Sequence, residues 1–191
     1  LGKAAGMEVH RQYDIPHSIS NNTDVKINNL LKKIKRKEIE CNTLELNKLI
    51  KNFSEPGPVG IKDEDKRVDV FIKDKDKNIF FIDITSPKPN IKEFGAMKLK
   101  LMRWTAIGYA NYDAKSVSAI LCMPYNPSHP KPYKRFSGDI TCDFKNDVKI
   151  QNDFWDTVAG FPVYDEIVKV FEIVGKKIRT KLEDKMNTFT N

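Results

Sequence analysis

The chain contains no apolar run approaching the roughly 20 residues that a membrane-spanning helix needs, and no signal-peptide pattern at its start. A membrane partner is therefore not expected. Cysteine is scarce. Cys41, Cys122 and Cys142 are odd in number, widely spaced and form no CxxC pair. That argues against a disulfide framework and fits a reducing, cytoplasmic setting. His10, His17 and His129 make no metal-ligand spacing with the cysteines, so a zinc site is not expected either. Internal repeats and low-complexity segments are absent. The stretch before Met7 carries little pattern and reads as an appended remnant or the cut end of a longer chain.

What is present is charge, and mostly of one sign. The chain of 191 residues is 40% apolar, enough for one domain with a real core, and its net charge is +7. Lys26 to Lys37 hold six basic residues and no acid, and Lys176 to Lys181 hold four, again with no acid. Such an excess favours a polyanionic partner such as nucleic acid, although each cluster alone also suits a solvated helix face.

Residues 1–23 read as an irregular lead-in. Residues 24–53 read as helical: Ile27, Leu30, Leu31 and Ile34 share a face, and the pattern resumes through Leu46, Leu49, Ile50 and Phe53. Asn42 or Thr43 is placed to recap the helix, and Pro56-Gly57-Pro58 ends it. Residues 67–150 carry the core sheet. Within it, Asn90 with Glu93 suits the start of a helix whose apolar stripe is Phe94, Met97, Leu101, Trp104 and Gly108. Lys92, Lys100 and Arg103 fall on the opposite face, and Lys98 lies at the stripe's edge. Ser116 to Met123 reads as a buried strand, and residues 151–191 as C-terminal helices. The order strand, strand, helix, strand sets the third strand parallel to a neighbour.

The informative stretch is Arg67 to Asn90. Two apolar runs, Val68 to Ile72 and Ile79 to Ile84, flank a charged turn and read as a β-hairpin. Asp69 and Asp83 interrupt them, although aspartate is depleted in strands. Their spacing around the turn can set them opposite one another on paired strands. Two carboxylates, with a main-chain carbonyl near Ile84, form an oxygen set that suits Mg²⁺. Phosphodiester hydrolysis further needs a cationic side chain beside the attacked phosphate. Lys88, just past the strand, and Lys98, on the helix behind it, are the lysines in question. The loop from Tyr125 to Arg135 is stiff, aromatic and basic. Tyr125, Asn126, Lys131, Lys134 and Arg135, with Lys92, Lys100 and Arg103, are the expected DNA contacts.

This layout resembles the PD-(D/E)xK nuclease superfamily. The string Asp83-Ile84-Thr85-Ser86-Pro87-Lys88-Pro89-Asn90 is similar to the E-x-K-T-x-K-P-N segment of TdeIII-type type II restriction endonucleases. Pro124-Tyr125-Asn126-Pro127 resembles their Y-N-P loop. Phe154-Trp155-Asp156, followed by Gly160 and by Tyr164-Asp165-Glu166, resembles their F-W-D…G…Y-x-E segment. The resemblance implies a restriction-endonuclease-like three-layer α/β/α core around a mixed central sheet. It also implies Mg²⁺ dependence and cleavage of double-stranded DNA at a short palindrome by a homodimer. Asp69 then matches the first acid and Asp83 the second. The departure is Thr85, which stands where the pattern puts the catalytic lysine. Either Lys88 or Lys98 replaces it, or the site is weakened and the protein binds DNA without cutting. An RNA-binding or RNA-processing role is a further reading of the same basic surface.

Overall fold

The structure is a computed structural model that describes residues 2–3, 6–58, 63–87, 91–133 and 141–189. Among these, five strands form one mixed sheet: β1 (Glu8–Asp14), β2 (Arg67–Lys73), β3 (Asn78–Ile84), β4 (Ser116–Met123) and β5 (Val148–Ile150). They lie side by side in chain order. β2 pairs antiparallel with β1 and β3, whereas β3–β4 and β4–β5 are parallel. Six helices accompany them among the described residues: α1 (Asn21–Lys35), α2 (Thr43–Phe53), α3 (Asp63–Lys66), α4 (Ile91–Asn111), α5 (Asn152–Ala159) and α6 (Tyr164–Phe189).

The β2–β3 hairpin closes on Asp74. Its carboxylate accepts from the backbone N–H groups of Asp76 and Asn78 and from the Asn78 side chain. Lys77 adopts a positive φ of 63°, the left-handed turn conformation. The parallel β3–β4 step needs a crossover, and α4 supplies it. β4 is covered on both faces, which is why it reads as a nearly unbroken apolar run. One face of the sheet packs under α1, α2 and α4 through Phe71, Ile79, Phe81, Leu101, Trp104 and Ile107. The other carries Ile72, Ile82, Ile120 and Cys122 against Phe154 of α5. These are the three layers the motifs implied.

Three details differ from the sequence expectation. Glu8–Asp14, read as irregular lead-in, is the edge strand β1, pairing with β2 from Glu8↔Lys73 to Asp14↔Arg67. Its side chains are mostly exposed, so they carry no apolar alternation to read. α1 starts at Asn21, before Asp24, because Ser20 is its N-cap and accepts from Thr23 N–H at 3.1 Å. α4 is buried almost all round from Leu101 to Gly108, sandwiched between sheet and helices. The face assigned to Lys100 and Arg103 is thus inside the protein. Gly108 allows that fit: a Cβ there would lie 2.7 Å from Val117 Cγ1 on β4.

Candidate active site

The hairpin register creates the site. Val70 pairs with Ile82 and Phe71 with Phe81, so one step further Asp69 comes across from Asp83. There the ladder opens. The Ile84 N–H, instead of bonding backbone, donates to the Asp69 carboxylate at 2.7 Å. The other Asp69 oxygen accepts from Gln12 Nε2 at 2.9 Å. Gln12 reaches it from β1 with a φ of 50°, a left-handed conformation that costs a non-glycine residue about 1–2 kcal/mol. Its neighbours Arg11 and Tyr13 stay paired with Val70 and Val68, and Gln12 turns out of the ladder between them.

Asp83 sits on the face of β3 beneath α4. Lys100 descends from that helix and places Nζ 2.6 Å from Asp83 Oδ2; the two side chains are 16% and 14% exposed. The Lys100 ammonium also lies 5.0 Å from the centroid of the Trp104 ring. The Trp104 indole N–H donates to the Asp65 carbonyl, fixing the ring beside the lysine. One turn further along α4, Arg103 bridges Asp24 of α1 at 2.8 Å and Asp65 at 3.7 Å. Burial pushes the Asp83 carboxyl above its ordinary value. The Lys100 charge and hydrogen bond oppose that rise, and the negative charges of Asp69 and Asp65 add to it.

The donor chemistry fits a hard divalent cation. Asp69 and Asp83 would contribute carboxylate oxygens, and the Ile84 carbonyl, next along the chain from Asp83, a backbone oxygen. Two adjacent carboxylates, one of them disfavoured as an anion by burial, are a pair whose mutual repulsion a cation relieves. Among the described residues no group of three or more His, Cys, Asp or Glu side chains is placed to hold a metal. The available set is thus two carboxylates and a carbonyl, leaving room for water and a phosphate oxygen, as magnesium usually requires.

The other expected site residues divide. Lys98 is not at this site: it is 2% exposed and pairs with Asp147 at 2.6 Å and with Thr43 Oγ1 at 2.8 Å. Two helix positions separate it from Lys100, a rotation of about 200° that sends the two side chains to opposite sides of α4. Lys100 and Arg103, expected on a solvent-facing DNA surface, are instead engaged with the internal acids Asp83, Asp24 and Asp65. Thr85 is half-buried and its N–H donates to the Cys122 carbonyl at 2.9 Å, extending the β3–β4 ladder past Ile84. Lys88, Asn90, Lys134 and Arg135 lie outside the described residues. Lys92 is exposed near the start of α4.

Tyr125 and Asn126 follow β4, whose C-terminal end lies beside that of β3. Tyr125 is 57% exposed. The Asn126 side chain donates to the Lys131 carbonyl and accepts from Ser128 N–H, so it shapes its own loop. Exposed Lys131 rides on that loop. Tyr133 Oη donates to the Pro87 carbonyl at 2.7 Å, which ties the loop to the chain just past Thr85. The F-W-D block is structural. Phe154 is buried, the Trp155 indole donates to the Pro124 carbonyl at 3.1 Å, and Asp156 accepts from the Val163 and Tyr164 N–H groups at the start of α6.

Lys100, Gln12 and Asp65 were not singled out for this site from sequence. Lys100 is separated from Asp83 by a loop and half a helix, and only the seating of α4 brings them together.

A three-layer core around a mixed sheet, with opposed carboxylates where β2 and β3 part, is a restriction-endonuclease-like fold. A model of the family described as "Type II restriction endonuclease, HinfI" matches residues 2–175, so the chain belongs to the HinfI family of type II restriction endonucleases. Two similar proteins are the type II restriction enzymes HgiEI and HgiBI of Herpetosiphon aurantiacus, each 26% identical over 179 residues. Each of those alignments covers 92% of this chain and 64% of the relative, so the chain spans slightly less than two thirds of the relatives' length. No solved structure matches the chain.

Proposed function

We propose that the protein is a Mg²⁺-dependent endonuclease that cleaves double-stranded DNA at a short palindromic site as a homodimer. The observation that carries this reading is the pairing of Asp69 and Asp83 across the opened end of the β2–β3 ladder. Membership of the HinfI family supports it. The finer likeness to TdeIII-type enzymes rests on the K-P-N, Y-N-P and F-W-D blocks alone.

Cleavage adds water to a phosphodiester. One P–O bond forms to the water oxygen, one P–O ester bond breaks, the water gives up a proton and the leaving alkoxide takes one. Magnesium would be held by Asp69, Asp83 and the Ile84 carbonyl, and when bound it supplies Lewis-acid activation of the phosphate. The chain's own part is positional. Gln12 and the Ile84 N–H hold the Asp69 carboxylate in one orientation. The loop bearing Tyr125 and Lys131, with Lys92 near the start of α4, is the proposed DNA-contacting rim.

Thr85 favours a second reading, a DNA-binding protein of nuclease fold that does not cut. Incubation with plasmid and phage DNA in Mg²⁺ separates the two. Discrete double-strand fragments, lost with Asp83→Ala, support cleavage. Duplex binding without fragments in Mg²⁺ or Mn²⁺ supports the second reading. A preference for RNA over duplex DNA overturns both.

A further inference from the structure

We infer that Lys100 is the catalytic lysine of this site, delivered from α4 into the place that Thr85 leaves empty of charge on β3. The inference rests on the nuclease reading above. It begins with strand geometry. Thr85 continues the extended path just past β3, and alternate residues of an extended chain share a face about 6.6 Å apart, so a lysine at 85 would have its ammonium beside the Asp83 carboxylate. Threonine has neither the length nor the charge to do so. Lys100 Nζ already occupies that neighbourhood, 2.6 Å from Asp83 Oδ2.

Its support is rigid. Its neighbours along α4, Leu101, Met102 and Trp104, are all buried at 2% exposure or less. Trp104 flanks its ammonium, and the indole is held in turn by the Asp65 carbonyl. A catalytic group needs this kind of supporting shell to stay in register with the reacting atoms. The pair also remains partly open to solvent, as a group that meets a phosphate must. Lys98, one of the two lysines weighed from the sequence, is sealed against Asp147. Once DNA is bound, the Lys100 ammonium faces the non-bridging oxygens of the attacked phosphate. There it stabilises the charge that builds as the water oxygen bonds to phosphorus. No net proton transfer to Lys100 is involved.

The test uses the full chain with plasmid DNA and Mg²⁺. Lys100→Met is expected to cut cleavage about 10²- to 10³-fold, the usual loss for one charge-stabilising donor. Lys100→Arg keeps the ion pair, and with it the fold. Its broad planar head does not reproduce the compact ammonium, so at least a tenfold loss is expected. The double variant Thr85→Lys/Lys100→Met returns a lysine to the strand and is expected to recover at least tenfold over Lys100→Met. In EDTA, where no cleavage occurs, Lys100→Met is expected to lower the slope of log affinity against log salt by about 1. Cleavage by Lys100→Met or Lys100→Arg within about threefold of the parent overturns the assignment. So does a double variant that recovers nothing, or an unchanged salt slope. Each of those results leaves the nuclease reading intact. A parent chain that never cuts DNA overturns that reading, and this inference with it.

Discussion

Lys98 and Lys100 stand two residues apart on one helix, and each holds an aspartate at 2.6 Å. They differ in what surrounds the pair. Lys98 and Asp147 are 2% and 1% exposed, and Asp147 is bonded further to Thr43 Oγ1 and the Asp143 N–H. Burial alone would lower the Lys98 pKa, but the charge and hydrogen bond of Asp147, together with Cys41 and Cys142, outweigh it and hold the lysine above its ordinary value. Lys98, Asp147 and Thr43 bond one another inside the protein, which suits a joint between α2, α4 and the loop before β5. Lys100 and Asp83 are several-fold more exposed, at the end of strands whose ladder has opened. Asp83 keeps a carboxyl raised by burial despite its lysine partner. The same ion-pair distance therefore marks a closed structural joint in one place and an unfinished site in the other.

The largest expected effect sharpens this contrast. Asp83→Ala should reduce DNA cleavage by about 10³-fold or more while costing less stability than the loss of Lys98, because the Lys100 ammonium it leaves unpaired is still partly open to solvent. Lys98→Met should do the reverse. It strands the Asp147 carboxylate in the core, at a cost of about 3–5 kcal/mol in chemical denaturation. If Lys98→Met costs under about 1 kcal/mol, the joint is not structural and the comparison collapses. Next comes Gly108→Ala, where the new methyl would meet both Val117 γ-carbons at 2.7 Å. A loss of about 1–3 kcal/mol is expected, together with weaker cleavage, because α4 must move off the sheet and carry Lys100 with it.

The pH dependence should also follow the closed joint. Burial, then the charge of Asp147, pushes the Cys142 thiol up from 9.0 to about 12; Lys98 opposes this and Cys41 adds to it. The folded chain thus keeps a proton that the unfolded chain releases near 9. That stability is fully present below pH 9 and is lost as pH rises towards 12, by up to about 1.4 kcal/mol per pH unit. Lys98, also raised, acts in the same direction. Denaturation midpoints measured from pH 8 to 11 should fall, and Cys142→Ala should flatten the fall. The smallest effect belongs to the exposed pair of Lys77 and Asp113 near the hairpin turn, with side chains 57% and 89% exposed. Lys77→Met should change stability by under about 0.5 kcal/mol.

Much of this was legible in the residues. Two runs rich in β-branched and aromatic residues on either side of a polar turn point to the β2–β3 hairpin, and their spacing allows Asp69 to lie opposite Asp83. The break at Asn42 specifies α2, whose N-cap Asn42 accepts from Leu44 and Glu45 N–H. β1 was not legible, because an exposed edge strand buries too little to impose an alternation. Nor was the role of the F-W-D block: motif likeness marked Trp155 and Asp156, but not that one anchors the loop after β4 and the other starts α6.

The sequence by itself pointed to the hairpin, the opposed acids and the crossover helix, because each follows from local residue pattern; the lysine missing at Thr85 is visible only against the motif of the family the chain resembles. Only the tertiary structure decided which lysine meets Asp83. That choice depends on how α4 is rotated against the sheet, and the rotation is set by packing Leu101, Trp104 and Gly108 on β3 and β4 rather than by the lysines themselves. A turn of the helix by two residues would exchange Lys98 for Lys100, and no local pattern distinguishes one from the other.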